Sequence, residues 1–221
     1  MFRFRRKYHN FNYAYGNISL LAKQEGESTY STQRAEKLFD GNTSSKWCSL
    51  TNGINTYSDR PKDMVVWKTA ESVKMVSYTL TTGNDTQTYP NRNWKSWTIY
   101  GGTFGSDAEA IAALCTETGW TIIDNQIQDS VLKATNYLPY QFACDHPGTY
   151  QYYRLVIHEI VGPYAIQQMS ELTMGIEAST PTGMEETNAN ANAKAVKILR
   201  EGKLYILRDG KTYNAQGVEM K

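Results

Sequence analysis

Lys37-Leu-Phe-Asp-Gly-Asn-Thr-Ser-Ser-Lys-Trp-Cys48 gathers oxygen donors into one short loop. Asp40, Asn42 and Ser45 follow one another at intervals of two and three residues, with Gly41 between the first two. Such spacing lets side-chain and backbone oxygens turn toward one point, and a hard cation such as calcium takes roughly six to eight oxygen ligands. The loop carries one carboxylate among these donors, so a second has to come from elsewhere. Glu171, in Gln167-Gln-Met-Ser-Glu-Leu172, is the best remote candidate, because a carboxylate entering an apolar strand needs a partner. The same residues also suit a solvated Asx-type turn, and the loop alone leaves both readings open.

Around this loop the chain reads as short strands. Met64-Val-Val-Trp67 is an apolar run, and Val73 to Thr82 alternates with a phase slip near Met75-Val76 that fits a bulge. Trp97-Thr-Ile-Tyr100 alternates with period two; Tyr153, Leu155 and Ile157 form one inward set and Leu172, Met174 and Ile176 another. The stretch Thr82-Gly-Asn-Asp-Thr-Gln-Thr-Tyr-Pro-Asn-Arg92 holds the Gly, Pro, Asn and Asp that punctuate all-β domains. One helix is expected at Asp107–Leu114, rich in Ala with an acidic start. Repeated short strands with turn signals predict an all-β sandwich over 16–177, preceded by an extension at 1–15.

Residues 178–193 are small, polar and aperiodic, the composition of a flexible linker. Over 194–221, Ile198-Leu-Arg-Glu-Gly-Lys203 returns as Ile206-Leu-Arg-Asp-Gly-Lys211. Turn signals at Glu201-Gly202, Asp209-Gly210 and Gln216-Gly217 predict a short β-meander of about three strands.

With 23 Lys and Arg against 22 Asp and Glu, the chain lacks the basic excess of a nucleic-acid surface. No apolar run reaches the length of about 20 residues that spans a membrane. The basic start, Met1-Phe-Arg-Phe-Arg-Arg-Lys7, lacks the apolar stretch of a signal peptide, so the expectation is a protein that stays inside or, preferably, a piece of a longer secreted chain. Cys48, Cys115 and Cys144 have no metal-like spacing; one disulfide is open, three buried free thiols the favoured reading.

The three histidines show no zinc or triad spacing, and the sequence holds no nucleophile elbow or phosphate-binding Gly loop. Trp47, Trp67, Trp97 and Trp120 sit in or beside apolar strand patterns and are expected in the core. Trp94 instead follows Asn91-Arg-Asn93, and Tyr57, Tyr89 and Tyr164 lie in loops beside Asn, Asp, Arg or Pro. Loop aromatics next to amide and guanidinium groups suit sugars, the ring stacking on the apolar sugar face while polar groups take the hydroxyls. Ordinary loop packing is the bland alternative for each.

Ala35-Glu-Lys-Leu-Phe-Asp-Gly-Asn-Thr-Ser-Ser-Lys-Trp47 resembles the opening loop of galactose-binding-like β-sandwiches, the discoidin or coagulation-factor C-type superfamily. Tyr78-Thr-Leu-Thr-Thr-Gly-Asn-Asp85 and Tyr89-Pro-Asn-Arg-Asn-Trp-Lys-Ser-Trp-Thr-Ile-Tyr-Gly101 are similar to its bacterial strand–loop–strand centre. Trp120 and Gln168-Met-Ser-Glu-Leu172 resemble its later landmarks. The resemblance implies a jelly-roll sandwich with a structural calcium, held by the Lys37 backbone oxygen, Asp40, the Asn42 carbonyl, Ser45 and Glu171. Many relatives are non-catalytic carbohydrate-binding modules of family 32; for a glycan, the candidate contacts in this chain are Asn84, Asp85, Tyr89, Arg92, Trp94 and Tyr164. Galactose-binding relatives often carry a His and a second aromatic where this chain has Cys48 and Thr51, a departure from that pattern. Residues 194–221 resemble the C-terminal sorting domains of Bacteroidetes type IX secretion substrates.

The expectation is therefore a calcium-stabilised, non-catalytic carbohydrate-binding module of a secreted or cell-surface bacterial protein. Its partner would be a glycan or polysaccharide, beside a linked glycosidase or a cell-surface partner. An adhesion or protein-interaction module on the same sandwich is the alternative, and a fragment of a glycosidase a further one.

Overall fold

The computed structural model describes residues 11–12, 17–26, 32–50, 63–128, 131–162, 166–177, 196–200, 203–208, 211–214 and 218–220. The chain divides into two compact units, Met1–Ala178 and Ser179–Lys221. The linker expected at 178–193 lies outside the described residues.

Among the described residues the first unit is an antiparallel β-sandwich with one short α-helix. Its key element is β4, and its chain order begins with β1 (Phe11–Asn12), β2 (Ile18–Gln24), β3 (Trp47–Leu50) and β4 (Met64–Thr81). There follow β5 (Trp94–Gly102), α1 (Asp107–Ala112), β6 (Trp120–Ile127), β7 (Pro139–Ala143), β8 (Thr149–Ile160), β9 (Ile166–Met169) and β10 (Glu171–Ile176). The N-terminal half of β4 lies between β2 and β8, and β5 and β6 extend that sheet. Its C-terminal half lies between β10 and β7, with β1 outside β10. The segment read as an N-terminal extension thus supplies an edge strand. β3 and β9 form a separate two-stranded ribbon.

Sequence periodicity divides β4 at residues 69–72, yet the strand runs through. Ala70, Glu71 and Ser72 are exposed there, and pairing with β8 slips between Lys68 and Val73 as the strand leaves one sheet for the other. Strands that change sheets do so at bulges or bends. The slip expected near Met75-Val76 is also present: Gly175 pairs with Ser77 and Ile176 with Met75, leaving Val76 as the extra residue.

The two sheets meet through aromatic side chains. Trp67 stacks on Tyr153 at 5.7 Å and donates its indole N–H to Met174 Sδ at 3.3 Å. Trp97 of β5 packs edge-on against Phe142 of β7 at 5.2 Å and donates to the Tyr78 hydroxyl, which donates to Asp124 Oδ2. Trp47, Trp94 and Trp97 continue the contact in series, each pair 6.2 Å apart. Truncating any one buried ring to Ala typically costs about 3–5 kcal/mol.

Tyr153, Leu155 and Ile157 face this core as the alternation predicts. The intervening Arg154 is buried as well, because the turn after α1 covers the outer face of β8. Its guanidinium lies 4.1 Å over Tyr100 and 5.1 Å over Trp120 and donates to the carbonyls of Leu114 and Thr116. α1 itself is capped by Ser106, whose side chain accepts from Glu109 N. Cys48, Cys115 and Cys144 are free thiols; the expectation that all three are buried fails at Cys115, which is exposed.

The second unit holds β11 (Val196–Arg200), β12 (Lys203–Arg208), β13 (Lys211–Asn214) and β14 (Glu219–Met220), paired in chain order. Arg200 pairs with Lys203 and Arg208 with Lys211, so two residues connect the strands at each of the first two turns. Three turn signals delimit four strands, one more than expected.

Asp63, immediately before β4, is 2% exposed. Burial, and to a smaller extent the nearby Glu25 charge, push its carboxyl up to about 7 against the downward pull of Ser49 and Gln167. The folded pKa lies above the unfolded value of about 3.9. The stability this group contributes is therefore complete below that unfolded value and is lost as pH rises through about 7. Asp63→Asn should gain on the wild type by on the order of 3 kcal/mol between pH 4 and pH 8 in urea titrations. Parallel stability curves for the two proteins would contradict this.

Candidate functional site

A short 3₁₀ turn, Ala35–Phe39, buries Ala35, Leu38 and Phe39 and delivers the chain into the 40–46 loop. Gly41 turns there with φ of 72°, a left-handed conformation that a side chain would strain. Asp40, Asn42, Ser45 and Glu171 come together. The Asn42 amide donates to Glu171 Oε1 at 2.9 Å and to Asp40 Oδ1 at 3.0 Å. Lys37 Nζ lies 2.9 Å from Asp40 Oδ2. The Ser45 hydroxyl lies 3.0 and 2.8 Å from the two Asp40 oxygens and 2.9 Å from the Asn42 carbonyl. One hydroxyl proton cannot serve three acceptors, and buried Glu171 Oε2 has no hydrogen-bond partner.

The loop therefore has a surplus of acceptor oxygens. Burial and the neighbouring Asp40 carboxylate push Glu171 up to about 8. Burial pushes Asp40 upward too, but Lys37, Ser45 and the Asn42 amide outweigh it and hold Asp40 below the usual carboxylate range. Two carboxylates, Asp40 in the loop and buried Glu171 at the start of β10, with spare lone pairs between them, form a donor set that fits a hard cation.

Directly after Ser45, the chain enters the sandwich with Lys46, which is 3% exposed. Lys46 Nζ lies 2.5 Å from Asp85 Oδ1 and 3.0 Å from Gln168 Oε1. Gln168 donates in turn to Thr86 Oγ1 at 3.2 Å. These contacts tie the 40–46 loop to the 84–92 loop, and Asn84 Nδ2 adds a bond to the Ser44 carbonyl at 3.0 Å. The Asp85 carbonyl accepts from Thr88 N and Tyr89 N, closing a compact turn. Tyr89 is 42% exposed and the Arg92 guanidinium lies 3.8 Å over its ring. Asn84, Asp85, Tyr89 and Arg92 thus form one cluster, with Asp85 held by Lys46.

Trp94 does not join it, contrary to the expectation of a stacking face. Its ring is fully buried and its Nε1 donates to Gln167 Oε1 at 2.7 Å, so no face is open to a ligand. The reason lies in the register. Pairing of β5 with β8 shifts between Trp94 and Ser96 and again between Ser96 and Trp97, and both tryptophans end up in the core cluster. Tyr164, Tyr57 and Thr51 lie outside the described residues. Sequence reasoning passed over Lys46 and Gln168; the available signal was a lysine entering a strand whose next three residues are buried.

No family model matches the sequence, and no curated protein matches it. Solved structures do match in three dimensions. The family 32 carbohydrate-binding module of Clostridium perfringens NanJ, in complex with galactose, is 16% identical with a TM-score of 0.50, over 74% of this chain and 96% of that one. The fold is that of the family 32 modules. The C-terminal domain of a Bacteroides fragilis chitobiase matches at 19% identity and a TM-score of 0.54, over 75% of this chain and 97% of its own. A family 32 module from a C. perfringens family 89 glycoside hydrolase, in complex with GalNAc-β-1,3-galactose, matches at 12% and 0.52, over 75% and 99%. At these identities the likeness is one of architecture.

Lys46→Met keeps the aliphatic volume while leaving Asp85 and Gln168 Oε1 without their donor. Stability in guanidinium titration should fall by about 2 kcal/mol. An unchanged midpoint would mean that the two loops are not joined through this side chain.

Proposed function

We propose that this chain binds carbohydrate without cleaving it, through the 84–92 loop of a sandwich whose 37–45 loop is stapled by calcium. The observation that carries the reading is the half-exposed Tyr89 ring in a loop crowded with amide, carboxyl and guanidinium groups, on a fold shared with carbohydrate-binding modules. A sugar needs an apolar face to lie on and polar groups around its rim, and this loop offers both. Asn84 and Asp85 supply an amide and a carboxylate to the same loop, the Asp85 carboxylate held by Lys46 and the Asn84 amide by the Ser44 carbonyl.

A single shallow site of this kind binds modestly, so the module works by holding an attached partner near its glycan. That partner is read as a glycosidase or a surface protein, and a glycan ligand places the module outside the cell or on its surface.

Calcium would be held by the Asp40 and Glu171 carboxylates, the Asn42 and Lys37 carbonyls and the Ser45 hydroxyl. It would supply the positive charge that the crowded carboxylates lack. The unpartnered Glu171 Oε2 and the over-subscribed Ser45 hydroxyl support this set. The Lys37 ammonium, 36% exposed and 2.9 Å from Asp40 Oδ2, is a cation already paired with the cluster.

Two measurements test the reading. Tyr89→Ala should abolish retention on glycan affinity gels for whichever array glycans the wild type binds, with its melting temperature preserved; equal retention would remove Tyr89 from the site. Calcium should raise the wild-type melting temperature by several degrees over chelator, as expected for a ligand that binds only the folded state. Asp40→Ala should lose that increment; if the variant gains as much from calcium as the wild type does, the staple is wrong.

A further inference from the structure

Charge in the 84–92 loop is unevenly matched. Among the described residues of the cluster, Lys46 and Arg92 are cations and Asp85 is the one anion. Asp85 is already engaged: its Oδ1 lies 2.5 Å from Lys46 Nζ, in a pair whose lysine side chain is only 4% exposed. Arg92 Nη1 lies 4.0 Å from the other oxygen, beyond hydrogen-bond distance. Among the described residues no acceptor is within hydrogen-bond reach of its guanidinium, whose side chain is 20% exposed. A guanidinium carries five N–H donors in a rigid planar fork, so among the described residues most of its bonding capacity is unspent.

The group is nonetheless well placed. It lies over the Tyr89 ring at 3.8 Å, a stacked position that leaves the in-plane N–H donors at its edge. Below it the chain is anchored. Pro90–Arg92 forms a 3₁₀ turn, and Asn93 is fully buried with Nδ2 donating to the Leu132 carbonyl at 2.7 Å. The Val161 and Gly162 amides donate to the carbonyls of Asn93 and Asn91. A fixed cationic fork beside an exposed ring matches a planar anion attached to an apolar ring face.

We propose, resting on the carbohydrate reading above, that the ligand is an acidic saccharide whose carboxylate is taken by Arg92 while its ring lies against Tyr89. Uronic and sialic acids are the sugars with this chemistry. A carboxylate is planar and accepts two parallel N–H bonds from one guanidinium. Sulfate esters share the charge and can also accept two N–H bonds from one guanidinium, so the sulfated arm of the test separates the two.

The test is an array of uronic- and sialic-acid glycans, each printed beside its carboxyl-reduced neutral form and a sulfated counterpart. The acidic forms should bind at least about tenfold tighter than their reduced forms, the scale of a charge-assisted pair, and the gap should shrink as salt is raised. Arg92→Met should erase the gap without changing the melting temperature. Arg92→Lys, which keeps the charge and loses the fork, should restore only part of it. Equal binding of acidic and reduced forms, or a gap that survives Arg92→Met, would overturn the assignment. Stronger binding of the sulfated forms would overturn the carboxylate in favour of a sulfated sugar. Failure to bind any glycan would instead overturn the carbohydrate reading itself, which keeps the two failures distinct.

Discussion

A single strand belongs to both sheets. β4 spends its first residues between β2 and β8 and its last between β10 and β7. Two sheets joined by loops could slide or separate; two sheets sharing one backbone are set at a fixed offset by the bend at residues 69–72. The aromatic contacts are consequences of that offset. Trp67 on the first half reaches Met174 across the core, and Tyr78 on the second half reaches Trp97 and Asp124 in the opposite direction. Those bonds hold the indole and phenol dipoles satisfied in an interior that would otherwise penalise them.

At the loop end of the sandwich a second line of contacts runs from oxygen cluster to exposed ring. Asn42 bonds Glu171, Ser45 leads straight into Lys46, Lys46 bonds Asp85, and Asp85 closes the turn that presents Tyr89 and Arg92. The side-chain links are short, and each has a buried partner, Glu171 in the first and Lys46 in the second. Neutralising the oxygen cluster would therefore firm the foundations of the ligand loop as well as the fold.

Much of this was legible in the sequence because it depends on local period. The inward sets Tyr153/Leu155/Ile157 and Leu172/Met174/Ile176, the extra residue near Val76 and the Asp107 helix start all follow from alternation and capping. The pairing of Asp40 with Glu171 was legible for a different reason, since a carboxylate in an apolar strand demands a partner. What was hidden depends on register and distance. Trp94 faces inward because of shifts against β8 that its own neighbours do not announce. Arg154 reads as an outward strand residue until the 114–117 turn folds over it. Lys46 gains meaning only from Asp85 and Gln168, far along the chain.

The buried Asn93 and Trp94 have an implication for diversification of the fold. They plant one end of the 84–92 segment in the core, and the Lys46–Asp85 pair plants the other. Between those two posts the backbone closes on itself through the Asp85 carbonyl, leaving the residues from Gln87 to Arg92 to vary without disturbing either sheet. The segment behaves as a cassette: new recognition chemistry can be written between fixed ends, and the sandwich beneath need not be redesigned to carry it.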